Sequence, residues 1–132
     1  MSSHATSTFE IKGWDAKPYD EFDDGRKLTR ATVTKSYLGD IEGEGKLEYL
    51  MVYGPDGSAS FVGVERVVGR IGGRSGSFVL QHNGTFQGGV ARDTWLVVPD
   101  SGTGNLQGLR GKCDFSSGHA KQYAISLDYD FE

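Results

Sequence analysis

The chain has 132 residues, with 14 Lys and Arg against 18 Asp and Glu for a net charge of −4. A chain of this length is expected to form one domain and to bury roughly two thirds of its unfolded surface without staples. The acidic balance gives no electrostatic footprint for nucleic acid, and no apolar run approaches the roughly 18 residues of a membrane helix, so neither is expected as a partner.

The single Cys113 cannot close an intramolecular bridge, and the N-terminal MSSHATSTFE lacks the basic and apolar regions of a secretory signal. A cytoplasmic location is the simplest expectation. Glycine reaches 20 residues while proline numbers three. Glycine at about twice its usual share fits many turns and bulges.

In chain order, residues 1–7 precede any pattern and are expected to be loose. The first strand, near residues 8–14, places Phe9 and Ile11 on one face with Glu10 and Lys12 on the other. KPYDEFDDG follows as an acidic loop. A Thr-rich second strand covers residues 26–38, and Gly39 and Asp40 separate it from a third over 41–53, whose later half is apolar on both faces. Pro55, Asp56 and Gly57 form the next turn.

Residues 61–82 read FVGVERVVGRIGGRSGSFVLQH, two alternating runs about a glycine pair. Val62, Val64, Val68 and Val79 favour strand, and Gly72 and Gly73 can supply positive φ, so a hairpin of the fourth and fifth strands is predicted. Asn83 and Gly84 read as a second two-residue turn ending the fifth strand, rather than as part of a glycosylation acceptor. A sixth strand over 91–98 stops at Pro99. The glycine-rich SGTGNLQGLRG leads into a short seventh strand reaching Phe115. After a break at SSGH, the last strand alternates Tyr123, Ile125, Leu127, Tyr129 and Phe131 with polar residues.

Eight antiparallel strands with short connections predict an all-β fold, an eight-stranded antiparallel barrel, because closure removes the edges that so many strands would expose. A two-sheet sandwich is the alternative. The whole chain, 1–132, is read as a single barrel domain.

The strings SYLGDIEGEGKLEYL, FVGVERVVGRIGGRSGSFVLQHNGTF, VVPDSGTGNLQGLRG and LDYDFE resemble a bacterial domain-of-unknown-function family whose barrel is similar to that of allene oxide cyclases. The likeness runs from about Phe9 to the C-terminus. GTGNLQGLRG is more distantly similar to a glycine-rich stretch of plant allene oxide cyclases and dirigent proteins. The resemblance implies a barrel with an interior pocket. It transfers no catalytic residue, since the polar constellation of the cyclases has no counterpart by motif.

If Gly72 and Gly73 are the central turn residues, positions summing to 145 stand opposite one another, so Glu65 faces Leu80 and Gly63 faces His82. Glu65 and His82 then share a face with Phe61, Val67, Ile71, Phe78 and Leu80. A carboxylate and an imidazole among apolar groups form the environment of an acid/base pair, making Glu65 and His82 the catalytic candidates. The ligand-binding candidates are Phe61, Glu65, Val67, Phe78, Leu80 and His82. The structural alternative pairs Glu65 with Arg70, Arg74 or Arg92 and leaves His82 at a wet rim.

No metal site or cofactor is expected. Asp40, Glu42, Glu44 and Glu48 read as a solvated exterior row, and the glycines of SGTGNLQG lack dinucleotide spacing. Ser75 and Ser77 have no nucleophile-elbow context, and Cys113 reads as a small core residue. Three functions remain: binding of a small apolar molecule inside the barrel, a cyclase or isomerase using the same cavity, or a packed barrel acting through its surface. Apolar residues on both faces near residues 49–53 and 61–68 favour a homo-oligomer.

Overall fold

The computed structural model describes residues 3–117 and 122–132; of the break expected at SSGH, Ser116 and Ser117 belong to a strand, and Gly118 and His119 lie outside the described residues. Eight strands close into an antiparallel barrel in chain order: β1 (Ser3–Glu21), β2 (Lys27–Gly39), β3 (Ile41–Tyr53), β4 (Ala59–Ile71), β5 (Arg74–Gln87), β6 (Val90–Val97), β7 (Leu109–Ser117) and β8 (Tyr123–Phe131). Closure comes from β1, which pairs with β8 from Ser3↔Tyr129 to Phe9↔Tyr123. Residues 3–7 are therefore part of the sheet, and β1 runs on through most of the segment read as an acidic loop, leaving the turn to residues 22–26.

The alternation works as predicted on β4 and β5. Glu65 pairs with Leu80 and Gly63 with His82, and Phe61, Glu65, Val67, Ile71, Phe78, Leu80 and His82 are all buried inside. Val62, Val64 and Val68 are about half exposed on the outer face. The hairpin turns at Gly72, which has φ 60° while Gly73 does not have positive φ. That pattern suits a primed turn with glycine at its first central position.

Asn83 and Gly84 are not a turn. They lie inside β5, opposite Val62 and Phe61, and the chain reverses instead at Gly88 and Gly89, with φ of 59° and 78°. The glycine at 84 serves close approach: a Cβ there would stand 2.2 Å from the Arg92 carbonyl oxygen and 2.7 Å from the Phe61 ring. Gly84→Val is expected to cost about 1–3 kcal/mol through overpacking. Urea unfolding measures the loss, and an unchanged midpoint would show that the strands can separate freely there.

The barrel is divided along its axis. The end carrying the 72–73 turn is packed with apolar side chains from Ile41, Val67, Ile71, Phe78, Leu80, Ile125 and Leu127. The 98–108 connection runs along β5, with Thr103 N donating to the Ser77 carbonyl at 2.8 Å, and a 3-10 turn at Gly104–Leu106 drives the buried Leu106 into that core. The opposite end is not filled. There Val33, Met51, Phe61, Tyr49 and Tyr53 form the wall, and β1 carries a bulge between Ile11 and Gly13. A bulge inserts one residue and resets the alternation. It turns Trp14 to the same side as Phe9 and Ile11, where its ring lies 6.2 Å from Tyr49.

Candidate functional site

Between the packed and the open halves lies a layer of buried charge. Glu65, on β4, has no solvent exposure, and all its hydrogen bonds come from other strands. Its Oε1 accepts from Lys35 Nζ on β2 at 3.2 Å and from His82 Nε2 on β5 at 2.7 Å, while Oε2 accepts from the Tyr37 hydroxyl at 2.6 Å. His82 reaches onward through Nδ1 to Asp93 Oδ2 on β6 at 2.9 Å, and Trp95 Nε1 donates to the same oxygen at 2.7 Å. Both imidazole nitrogens face carboxylate oxygens, so hydrogen bonding is complete when both carry protons.

Burial alone would raise the Glu65 carboxyl. The Lys35 ammonium, the His82 ring and the Tyr37 hydroxyl outweigh it and hold the group at about 2, against 4.5 in isolation. Burial and the Glu65 charge push the Tyr37 phenol well above 10, which keeps it a donor. The room for this carboxylate comes from Gly45 on β3: a Cβ there would stand 2.2 Å from Glu65 Oε2.

Lys35 is 3% exposed. Its ammonium sits 4.4 Å from the ring centroids of both Phe9 and Trp95, so the aromatic faces receive the charge that Glu65 does not. Above this layer the open half encloses a cavity of about 440 Å3. Its walls are apolar and largely aromatic, with Phe9, Trp14, Tyr49, Phe61, Phe86, Trp95 and Phe115 among them, and its charged liners among the described residues are Lys35 and Asp93. Burial and the Asp93 and Glu65 charges raise the Tyr49 phenol well above its ordinary value. A side-chain hydrogen bond to the Asp93 carboxylate adds to that rise.

The comparisons with known proteins agree with this architecture. The model of a family described as "protein of unknown function (DUF3224)" matches residues 5–129. The chain belongs to the DUF3224 family. A crystal structure of a DUF3224 protein of unknown function from Shewanella oneidensis MR-1 is 32% identical, covers 100% of this chain and 99% of its own, and superposes with a TM-score of 0.80. No curated protein matches the chain.

Of the residues singled out in the sequence of this DUF3224 barrel, Glu65 and His82 meet directly, and Phe61 lines the cavity. Val67, Phe78 and Leu80 share their interior face but pack in the closed half. None of the three arginines offered as partners holds Glu65. Arg70 bonds Glu42 at 3.0 Å, Arg74 lies over the Phe131 ring, and the partner is Lys35. His82 is fully buried rather than at a rim.

Lys35 and Asp93 were not singled out, although each interrupts an inward-facing apolar series: Ala31, Val33, Lys35, Tyr37 on β2 and Asp93, Trp95, Val97 on β6. A charge at an inward position is the signal that could have found them. Cys113 is a core residue whose thiol burial pushes up to about 11. Among the described residues, no group of three or more His, Cys, Asp or Glu side chains could hold a metal ion, and no helix is long and apolar enough to cross a membrane.

Proposed function

We propose that this protein is a binding barrel that takes one small, largely apolar molecule into its open half. The carrying observation is the cavity of about 440 Å3 with aromatic walls over a floor of paired charge. That volume falls within the roughly 300–1,000 Å3 of small-molecule sites, and such sites combine apolar walls with a few polar groups in this way. Binding is favoured over a cyclase or isomerase. Glu65 does not line the cavity, and both nitrogens of His82 are engaged, so the pair holds Lys35 and Asp93 in place rather than offering a free acid or base.

Titration with the fluorescent apolar probe N-phenyl-1-naphthylamine is expected to show saturable binding at one site. Ala59→Phe fills the cavity wall and is expected to weaken that binding at least about tenfold, or ~1.4 kcal/mol, with an unchanged circular dichroism spectrum. A wild-type protein that binds no probe removes the reading.

Self-association belongs to the same proposal. Leu50, Val52, Val62 and Val64 stand about half exposed on neighbouring positions of the outer β3–β4 face, an apolar area that a second copy can cover. Size-exclusion chromatography with light scattering tests it, and a strict monomer at high concentration rejects it. The buried lone thiol of Cys113 fits a reducing, cytoplasmic setting.

A further inference from the structure

The floor of the cavity has donors to spare, and that surplus selects a ligand. This inference rests on the binding reading above and adds the chemistry of the ligand's inner end. The buried carboxylates have their donors: Glu65 meets Lys35, His82 and Tyr37, and Asp93 meets His82, Trp95 and Tyr49. Lys35 is different, because an ammonium carries three N–H donors. Among the described residues it donates to one atom, Glu65 Oε1, at 3.2 Å, and that oxygen is shared with His82. A tight charge-assisted bond is shorter, about 2.7–2.9 Å. Nζ stands 4.4 Å from the ring centroids of Phe9 and Trp95, and Phe9, Lys35 and Trp95 line the cavity together whereas Glu65 and Tyr37 do not. The rings take part of the charge, but less than a hydrogen-bond acceptor would.

We infer that the molecule bound here carries a neutral hydrogen-bond acceptor, the carbonyl of a ketone, ester or amide, at the inner end of an apolar body, and that Lys35 Nζ donates to it. A hydrogen bond from a charged donor is stronger than a neutral one, and a site built to make it discriminates against the analogue that lacks the group. An anion gains less. Lys35 and His82 face Glu65 and Asp93, two basic groups against two carboxylates, so the layer holds no excess of positive charge for a third carboxylate, which would also shed its hydration among apolar walls. An amine brings a donor to a donor, and as an ammonium it meets Lys35 as a like charge.

Four compounds sharing one ring system separate the possibilities: 1-methylnaphthalene, 1-acetylnaphthalene, 1-naphthoic acid and 1-naphthylmethylamine, each measured at neutral pH by displacement of the fluorescent probe. The ketone is expected to bind at least about tenfold more tightly than 1-methylnaphthalene, and the acid and the amine less tightly than the ketone. The infrared carbonyl stretch of the bound ketone is expected at lower frequency than in hexane, as a strong donor on its oxygen requires. In Lys35→Met, and in the double variant Lys35→Met with Glu65→Leu that leaves no orphaned carboxylate, the ketone's advantage and the lowered stretch should both vanish. Equal affinity of ketone and hydrocarbon, an acid or amine that binds as tightly as the ketone, or a ketone preference that survives both substitutions overturns the inference while the binding reading stands. Absence of binding by all four, with no binding of the probe, overturns both. The wild-type ranking and the carbonyl stretch decide the matter if neither variant folds.

Discussion

Glu65→Leu is expected to lower the stability of the barrel by about 3–5 kcal/mol, the usual cost of removing one member of a buried ion pair. The loss comes from what remains rather than from the leucine. Lys35 keeps its ammonium at 3% exposure with no carboxylate, His82 loses its Nε2 partner, and the Tyr37 hydroxyl is left buried and unbonded. For a chain of this length the melting temperature should fall on the order of 10–20 °C. Adding Lys35→Met to Glu65→Leu should restore part of the loss, because the orphaned charge is gone and the pair is coupled. Thermal melts of the two single variants and the double variant measure this. A Glu65→Leu protein melting within about 2 °C of wild type would mean that water reaches Lys35 in the open half and solvates it.

The second large effect is on acid stability. The Glu65 carboxyl is held at about 2 in the folded protein against 4.5 when free. A depressed acid stabilises the fold fully above its unfolded value and loses that contribution as pH falls towards the folded one. The window is therefore about pH 4.5 down to 2, and the contribution is about 3 kcal/mol at 1.36 kcal/mol for each unit. Denaturant midpoints measured across that window should decline more steeply in the wild type than in Glu65→Gln, which has nothing to titrate at this position. Parallel curves would place the acid sensitivity elsewhere.

The barrel was legible in the sequence because closure needs only strands, turns and alternation, all of which are local. Glu65 and His82 could be paired from one hairpin because a two-residue turn fixes register over its whole length, here from Ile71↔Arg74 to Ala59↔Phe86. Lys35 and Asp93 escaped for the opposite reason. Lys35 and Glu65 are on β2 and β4, which are not neighbours, so their contact crosses the barrel interior and no turn geometry implies it. Asn83 and Gly84 misled because the dipeptide is a strong turn signal in isolation, whereas here the missing side chain makes space for Phe61 and the Arg92 carbonyl. The apolar face of β4 and β5 was read correctly, but alternation says nothing about position along the axis. It therefore could not separate Phe61, at the open end, from Val67 and Phe78 in the closed one.

The crossing contact also has a mechanical meaning. A closed sheet without side chains filling its middle can flatten, and the open half has little packing to resist that. The chain from Lys35 through Glu65 and His82 to Asp93 joins β2, β4, β5 and β6 across the lumen with bonds of 2.7–3.2 Å. It acts as a strut that sets the bore at the base of the cavity. For the small molecule proposed above, the width at the base would already be fixed, so its arrival would require no widening of the walls and its departure no collapse.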